Sequence, residues 1–209
     1  VSVALVTRTY AGAAESLLPA LSHCIFPHVT GLGIKVVIVL DDTASDRSLG
    51  TSLLQWHSEP ARAGQLRVAY EPLPAHARRI FTGNRERGGS RSFGQDRAEW
   101  SSFFADRYTS ADIIGHWDAE VCFLAPPLPT LDAEGRLHNT VLLNYPVGDT
   151  WARSTALALP RAIKALVGAM ETDYFPLFMW RKDLHAARAL VAQSSAPLAH
   201  GGDHADHED

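Results

Sequence analysis

The stretch "IKVVIVLDD", Ile34 to Asp42, sets six aliphatic residues around Lys35 and ends in two adjacent aspartates. Five of the six are β-branched, a side-chain shape that crowds a helix and suits a pleated strand. The run lacks polar alternation, which marks a strand buried on both faces, as in a parallel sheet. "VSVALVT", Val1 to Thr7, has the same character. Between the two, Ala13 to Cys24 carries Leu17, Leu18 and Leu21 at helical spacing, and the helix is predicted to end before Pro27. Strand, helix and strand in that order make a β-α-β unit, which favours parallel pairing through a right-handed crossover.

The pattern continues outward from this unit. Ser48 to His57 reads as a second helix with Leu49, Leu53 and Trp56 on one face, and "QLRVAYE", Gln65 to Glu71, as a third strand. Pro72 to Gly94 holds two prolines and four glycines with no sustained period and reads as a long loop. From Gln95 to Tyr108 the spacing of Trp100, Phe103, Phe104 and Arg107/Tyr108 predicts an amphipathic helix that leads into a fourth strand, "ADIIGHW", Ala111 to Trp117. "LAPPLP", Leu124 to Pro129, is too rich in proline for an interior strand. Farther on, "TVLLNYP" from Thr140 is a further strand and Ala162 to Met170 a helix opened by Pro160. "YFPLFMW" is a short extended segment, and Lys182 to Gln193 a last helix with Leu184, Ala187 and Leu190 inward. The end, "HGGDHADHED", has no apolar residue larger than Ala and is expected to be disordered. Residues 1–195 therefore read as one truncated α/β domain and 196–209 as a polar tail.

The bulk numbers agree with one folded domain. The chain has 209 residues, 46% of them apolar and 20% charged, enough to bury a real core. A formal charge of −4 gives no general attraction to polyanions, and the arginines of "RRIFTGNRERGGSR" form the only local basic cluster. Nucleic acid is excluded as a main partner on that ground. Cys24 and Cys122 make neither a disulfide framework nor a CxxC pair, so their pairing and the redox compartment stay open. No run approaches a membrane span in length, and the amino end does not resemble a signal peptide. The chain opens at Val1 inside an expected strand, which reads as a fragment of a longer protein. If that protein is eukaryotic and carries an N-terminal anchor, the Golgi or secretory lumen is expected; otherwise the cytoplasm.

Two acidic pairs carry the functional reading. In "ADIIGHWDAEVCF", Asp118 and Glu120 follow the fourth strand, and in an open α/β sheet ligands bind beyond the carboxyl ends of the strands. In an extended chain residues two apart point the same way. Two carboxylates so placed repel unless one is protonated or a cation lies between them. A hard divalent ion, Mg2+ or Mn2+, held by one or two carboxylates and completed by phosphate oxygens, answers that repulsion; the plainer alternative is a turn with solvated acids. Asp41 and Asp42 leave the second strand on the same edge, where an acid accepts hydrogen bonds from ribose hydroxyls or a base N–H. Either aspartate alone also suits a turn or a helix cap before "TASDRS".

The order "VALVTRTY", "VVIVLDD", then "SFGQDRAEWSSFFADRYTSADIIGHWDAEVCFLAPP" resembles the nucleotide-sugar transferases of the GT-A fold, whose DxD motif closes the central strand and holds a metal-bound sugar diphosphate. The resemblance covers Val1 to Pro127 and, more weakly, "YFPLFMWRKDLHAAR". It implies a Rossmann-type sandwich with a central, mostly parallel sheet flanked by helices. It also implies a metal-dependent transfer of a sugar from a UDP-type donor to a hydroxyl of a glycan, protein or lipid acceptor. Carried over by position, Asp118 and Glu120 bind Mn2+ or Mg2+; Thr7, Arg8 and Thr9 line the nucleotide; Asp41 and Asp42 contact a uridine-like base and ribose; Arg91 and Gln95 approach the sugar or diphosphate. The motif departs from the family pattern, being Asp-Ala-Glu rather than Asp-x-Asp, and the chain's end does not match the region where the family often supplies a further ligand.

Such a transfer, if inverting, needs a carboxylate to deprotonate the acceptor, for which Asp173 and then Glu171 of "METDYFP" are the candidates. A non-catalytic nucleotide- or glycan-binding module that keeps the fold is the alternative. A dehalogenase-type phosphatase needs Asp-x-Asp-x-Thr, and here Asp41, Asp42 and Thr43 are contiguous. "GNRERGGSRSFG" lacks the Gly-Lys-Ser/Thr ending of a P-loop and reads as a mobile loop over the donor. His200, His204 and His207 lie in a tail without a scaffold to hold them as a metal site.

Overall fold

The computed structural model describes residues 1–73, 93–138 and 176–194. The strands are β1 (Val3–Arg8), β2 (Lys35–Asp41), β3 (Leu66–Glu71), β4 (Ile113–His116), the short pair β5 (Thr130–Leu131) and β6 (Leu137–His138), and β7 (Leu177–Trp180). The helices are α1 (Ala14–Pro19), α2 (Phe26–Val29), α3 (Ala44–Trp56), α4 (Ser58–Arg62), α5 (Phe93–Phe103) and α6 (Arg181–Ser194). Five strands form one sheet in the order β3-β2-β1-β4-β7, parallel except for β7, which runs antiparallel to β4. This is a mixed, mostly parallel sheet flanked by helices, the α/β architecture that the β-α-β reading implies. The order has its switch between β1 and β4, so the chain leaving β1 and the chain leaving β4 open a crevice at the carboxyl edge.

The continuous apolar runs do what their composition dictates. Val36, Val37, Ile38, Val39 and Leu40 are all essentially buried, because helices cover both faces of β2. Leu5, Leu17, Leu21, Ile38, Leu53 and Ile113 belong to the core on one face, and Val6, Val39, Ile114, Tyr108 and Leu184 to the core on the other. Gly115 interrupts β4 because a Cβ there would lie 2.7 Å from the Phe178 ring and 2.9 Å from Leu5.

Several local expectations are corrected. The first helical segment does not stop before Pro27: a π-helical turn, Ala20–Ile25, links α1 to α2, and Pro27 sits at the start of α2, where a missing N–H is harmless. Trp56 is not on the buried face with Leu49 and Leu53 but is 60% exposed at the end of α3. The inward face of α5 is not aromatic, since Arg97 and Ser101 are buried while Trp100 and Phe103 are only half-buried. The expected strand at 140–146, the helix at 162–170, most of the glycine-rich loop and the polar tail lie outside the described residues.

α6 is tied to the turn after α5 by Arg188, which donates to both carboxylate oxygens of Asp106 at 2.7 and 2.6 Å and to the Phe103 carbonyl at 2.7 Å. The guanidinium holds the Asp106 carboxyl below the usual carboxylate range. A lowered carboxylate pKa means stability that is fully present above the unfolded value, about 3.9, and lost as pH falls through the lower folded one. Arg188→Ala is expected to cost about 1.5–3 kcal/mol at neutral pH. Urea titrations at pH 7 and pH 3 check this, the cost shrinking at the lower pH.

Candidate functional site

The carboxyl ends of β1, β2 and β3 each deliver one ionisable residue to the same place: Arg8, Asp41 and Glu71. Arg8 bridges the other two, with Nη2 2.5 Å from Asp41 Oδ1 and Nη1 2.7 Å from Glu71 Oε2. From above, α5 lowers Arg97, whose Nη2 lies 2.8 Å from Asp41 Oδ1 and 3.0 Å from Glu71 Oε2. Ser101, one turn on, donates to Glu71 Oε2 at 2.6 Å, and the Tyr108 hydroxyl donates to Glu71 Oε1. Two cations thus face two anions, with the Ser101 and Tyr108 hydroxyls on Glu71, the kind of pairing under which charges tolerate burial. Burial pushes the Asp41 carboxyl up, but the hydrogen bonds and charges of Arg97 and Arg8 outweigh it and hold it below its usual range. Burial and the Glu71 carboxylate drive the Tyr108 phenol well above its own.

A second wall comes from the start of α3. Thr43 caps the helix by accepting from the Asp46 amide at 3.2 Å, and its hydroxyl donates to Asp46 Oδ2 at 2.8 Å. The other oxygen of the buried Asp46 accepts from the Ala11 amide at 2.5 Å, pinning the chain that leaves β1.

The third wall is the acidic stretch. Beyond β4 the chain is not extended: Val121 N–H bonds the Asp118 carbonyl at 2.9 Å, closing a turn around Ala119 and Glu120. Asp118 and Glu120 nevertheless both line a cleft of about 830 Å3 shared with Arg8, Thr9, Asp41, Asp46 and Arg97. That volume suits a nucleotide-sized ligand. Arg8, Asp41, Asp46 and Arg97 are matched by partners, whereas the side chains of Asp118 and Glu120 have no hydrogen bond or ion pair among the described residues. Desolvation, and secondarily the charge of Glu120, pushes the Asp118 carboxyl up. A divalent cation would relieve that conflict, and an all-oxygen donor set is the one Mg2+ and Mn2+ prefer. Among the described residues no group of three or more potential ligands gathers; a two-carboxylate set is one that phosphate oxygens can complete around a hard ion.

The structure brings Arg8, Thr9, Asp41, Asp118 and Glu120 together around this cleft. It does not bring Thr7 or Asp42 there: Thr7 is buried within β1, and Asp42 faces Arg47 at 2.5 Å on the outside of α3. Gln95 falls in the first turn of α5, next to the cleft-lining Phe93 and Gly94. Arg91, Glu171 and Asp173 lie outside the described residues. Sequence reasoning missed Glu71, Arg97, Ser101 and Asp46; only the four-residue spacing of Arg97 and Ser101 hinted that they share a helix face.

Cys24 and Cys122 form a disulfide with Cα atoms 4.7 Å apart, joining the π-helical turn to the residue two beyond Glu120.

No family model and no curated protein matches the chain. Among solved structures it is similar to the mannosyltransferase PcManGT from Pyrobaculum calidifontis, solved with GDP-Man and Mn2+, at 16% identity and a TM-score of 0.34, over 59% of this chain and 29% of that one. It is also similar to the galactosyltransferase LgtC, solved with donor and acceptor sugar analogues, at 13% identity and 0.33, over 56% and 37%. S. aureus TarS gives 17% identity and 0.29, over 57% and 28%. The chain thus spans well under half the length of these three proteins, and likeness of this size assigns it to no family. Among the described residues no helix is long and apolar enough to cross a membrane.

Proposed function

We propose that the cleft binds a nucleotide-diphosphate sugar through a divalent cation and transfers the sugar to an acceptor hydroxyl. The carrying observation is the unmatched pair Asp118 and Glu120 in a cleft whose other charges are matched. Two bare carboxylates would repel a diphosphate; with Mn2+ or Mg2+ between them they attract it. Asp118 and Glu120 hold the ion, and Thr9 and the backbone after β1, with Asp41 and the α3 start, take the nucleotide. A divalent ion held by Asp118 and Glu120 would supply charge neutralisation for the departing diphosphate. In the reaction the bond from the anomeric carbon to the diphosphate oxygen breaks, the acceptor oxygen bonds that carbon, and a base removes the acceptor proton. Asp173, then Glu171, remain the candidates for that base. The donor is of UDP type, and the acceptor a glycan, protein or lipid. The Cys24–Cys122 bond supports an oxidising compartment such as a secretory lumen over the cytoplasm.

The experiment is hydrolysis of UDP-sugars with and without Mn2+. Wild-type protein is expected to release free sugar only with the metal, and Asp118→Ala to lose on the order of 10²-fold or more of that rate. A second reading, a non-catalytic binding module, is favoured by the commitment of Arg8 and Arg97 to Asp41 and Glu71, which leaves them less free to meet a leaving group. Metal-dependent nucleotide binding without any donor hydrolysis would favour it.

A further inference from the structure

We propose that the Cys24–Cys122 disulfide is an oxidation-set tether on the acidic turn: formed, it holds Asp118 and Glu120 in the cleft as a cation seat, and reduced, it releases them. The inference rests on the reading of those carboxylates as cation ligands.

The turn has left the sheet where the disulfide takes hold. Its last backbone bond to the sheet is Trp117 N–H to the Val6 carbonyl at 3.3 Å, and the next, Val121 to Asp118, is internal to the turn. From Cys122 to Ala125 no backbone amide donates to another backbone group among the described residues, and Leu124 is 92% exposed. Ala119 and Phe123 pack inward, but the covalent anchor is Cys122, two residues past Glu120, bonded to a helix 98 residues earlier in the chain. Its partner sits in a π-helical turn, a local irregularity often found at functional positions.

The bond is open to exchange. Cys122 is exposed and Cys24 half-buried, so the bond lies near the surface, the setting in which a small dithiol can attack. One thiolate of the dithiol attacks a sulfur, the Cys24–Cys122 bond breaks to a mixed disulfide, and the second thiol closes the reagent's own disulfide. The protein gains two electrons and two protons as a pair of cysteine thiols, and the dithiol is oxidised by the same amount. A chain kept reduced would therefore hold a weak cation seat, strengthened only on reaching an oxidising compartment.

The test measures Mn2+ affinity by electron paramagnetic resonance of the free ion, on oxidised protein, on protein reduced with a dithiol and desalted without oxygen, and on the Cys24→Ser/Cys122→Ser double variant. Hydrogen exchange of β1, β2 and β4 monitors the fold. The expected result is a Kd about 10- to 100-fold higher in both disulfide-free forms, with exchange at residues 118–123 accelerated more than in the three strands, whose protection falls only by the uniform loss of global stability. Equal affinity with and without the bond overturns the tether alone. Exchange at residues 118–123 accelerated no more than in the three strands also overturns it, since the bond would then be a general staple. Oxidised protein that binds no Mn2+ overturns the cation reading and this inference with it.

Discussion

Glu71→Ala is expected to destabilise the protein by about 3–5 kcal/mol, the cost of removing one partner from a buried charge network. Glu71 is 6% exposed and satisfies Arg8, Arg97, Ser101 and Tyr108 together. Without it, Arg8 and Arg97 each lose a carboxylate partner, and the Ser101 and Tyr108 hydroxyls lose their acceptor. The same change unties β3 from β1 and from α5, so the cleft floor loses its geometry as well as its neutrality. Glu71→Gln keeps the shape and acceptor oxygen but not the charge, and is expected to fall between wild type and alanine. Urea midpoints measured at unchanged m report the difference. A loss under about 1 kcal/mol for alanine would mean that water or a rotated arginine compensates the network.

The second large effect is on the disulfide. The Cys24→Ser/Cys122→Ser variant is expected to be about 2–4 kcal/mol less stable than the oxidised protein, because the bond closes a loop near 100 residues and removes that freedom from the unfolded chain. Denaturant titration of wild type with and without reductant gives the same quantity independently. Agreement between the two numbers is expected; a variant as stable as the oxidised protein would show that packing of Trp117, Ala119 and Phe123 alone fixes the segment. A domain of ordinary stability survives a loss of this size, so the effect on the acidic turn is measurable in a folded molecule.

What was legible in the sequence follows from the range of each signal. β1 and β2 declared themselves because a strand buried on both faces is aliphatic nearly throughout, a property visible within seven residues, whereas β3 is an edge strand with Arg67 exposed. α5 was placed correctly but faced wrongly. Aromatic spacing suggested that Trp100, Phe103 and Phe104 turn inward, whereas Arg97 and Ser101 do so because β1, β2 and β3 bring Arg8, Asp41 and Glu71 to meet them. No window on the helix contains those partners. The antiparallel addition of β7 beside β4 and the pairing of two cysteines 98 residues apart are likewise products of the folded sheet. In the candidate site, Asp118, Glu120, Arg8, Thr9 and Asp41 were found at strand ends, where position in an α/β sheet already marks the ligand edge. Asp42 shows the limit of that rule. One residue past Asp41, it points to the other side of the chain and meets Arg47.

The most direct measurement is a calorimetric titration of UDP into the oxidised protein, with and without Mn2+, repeated on Asp118→Ala. The account predicts binding that requires manganese and disappears in the variant. UDP binding that ignores the metal, or that survives Asp118→Ala unchanged, would contradict it and leave the acidic pair as a solvated turn at the edge of an α/β sheet.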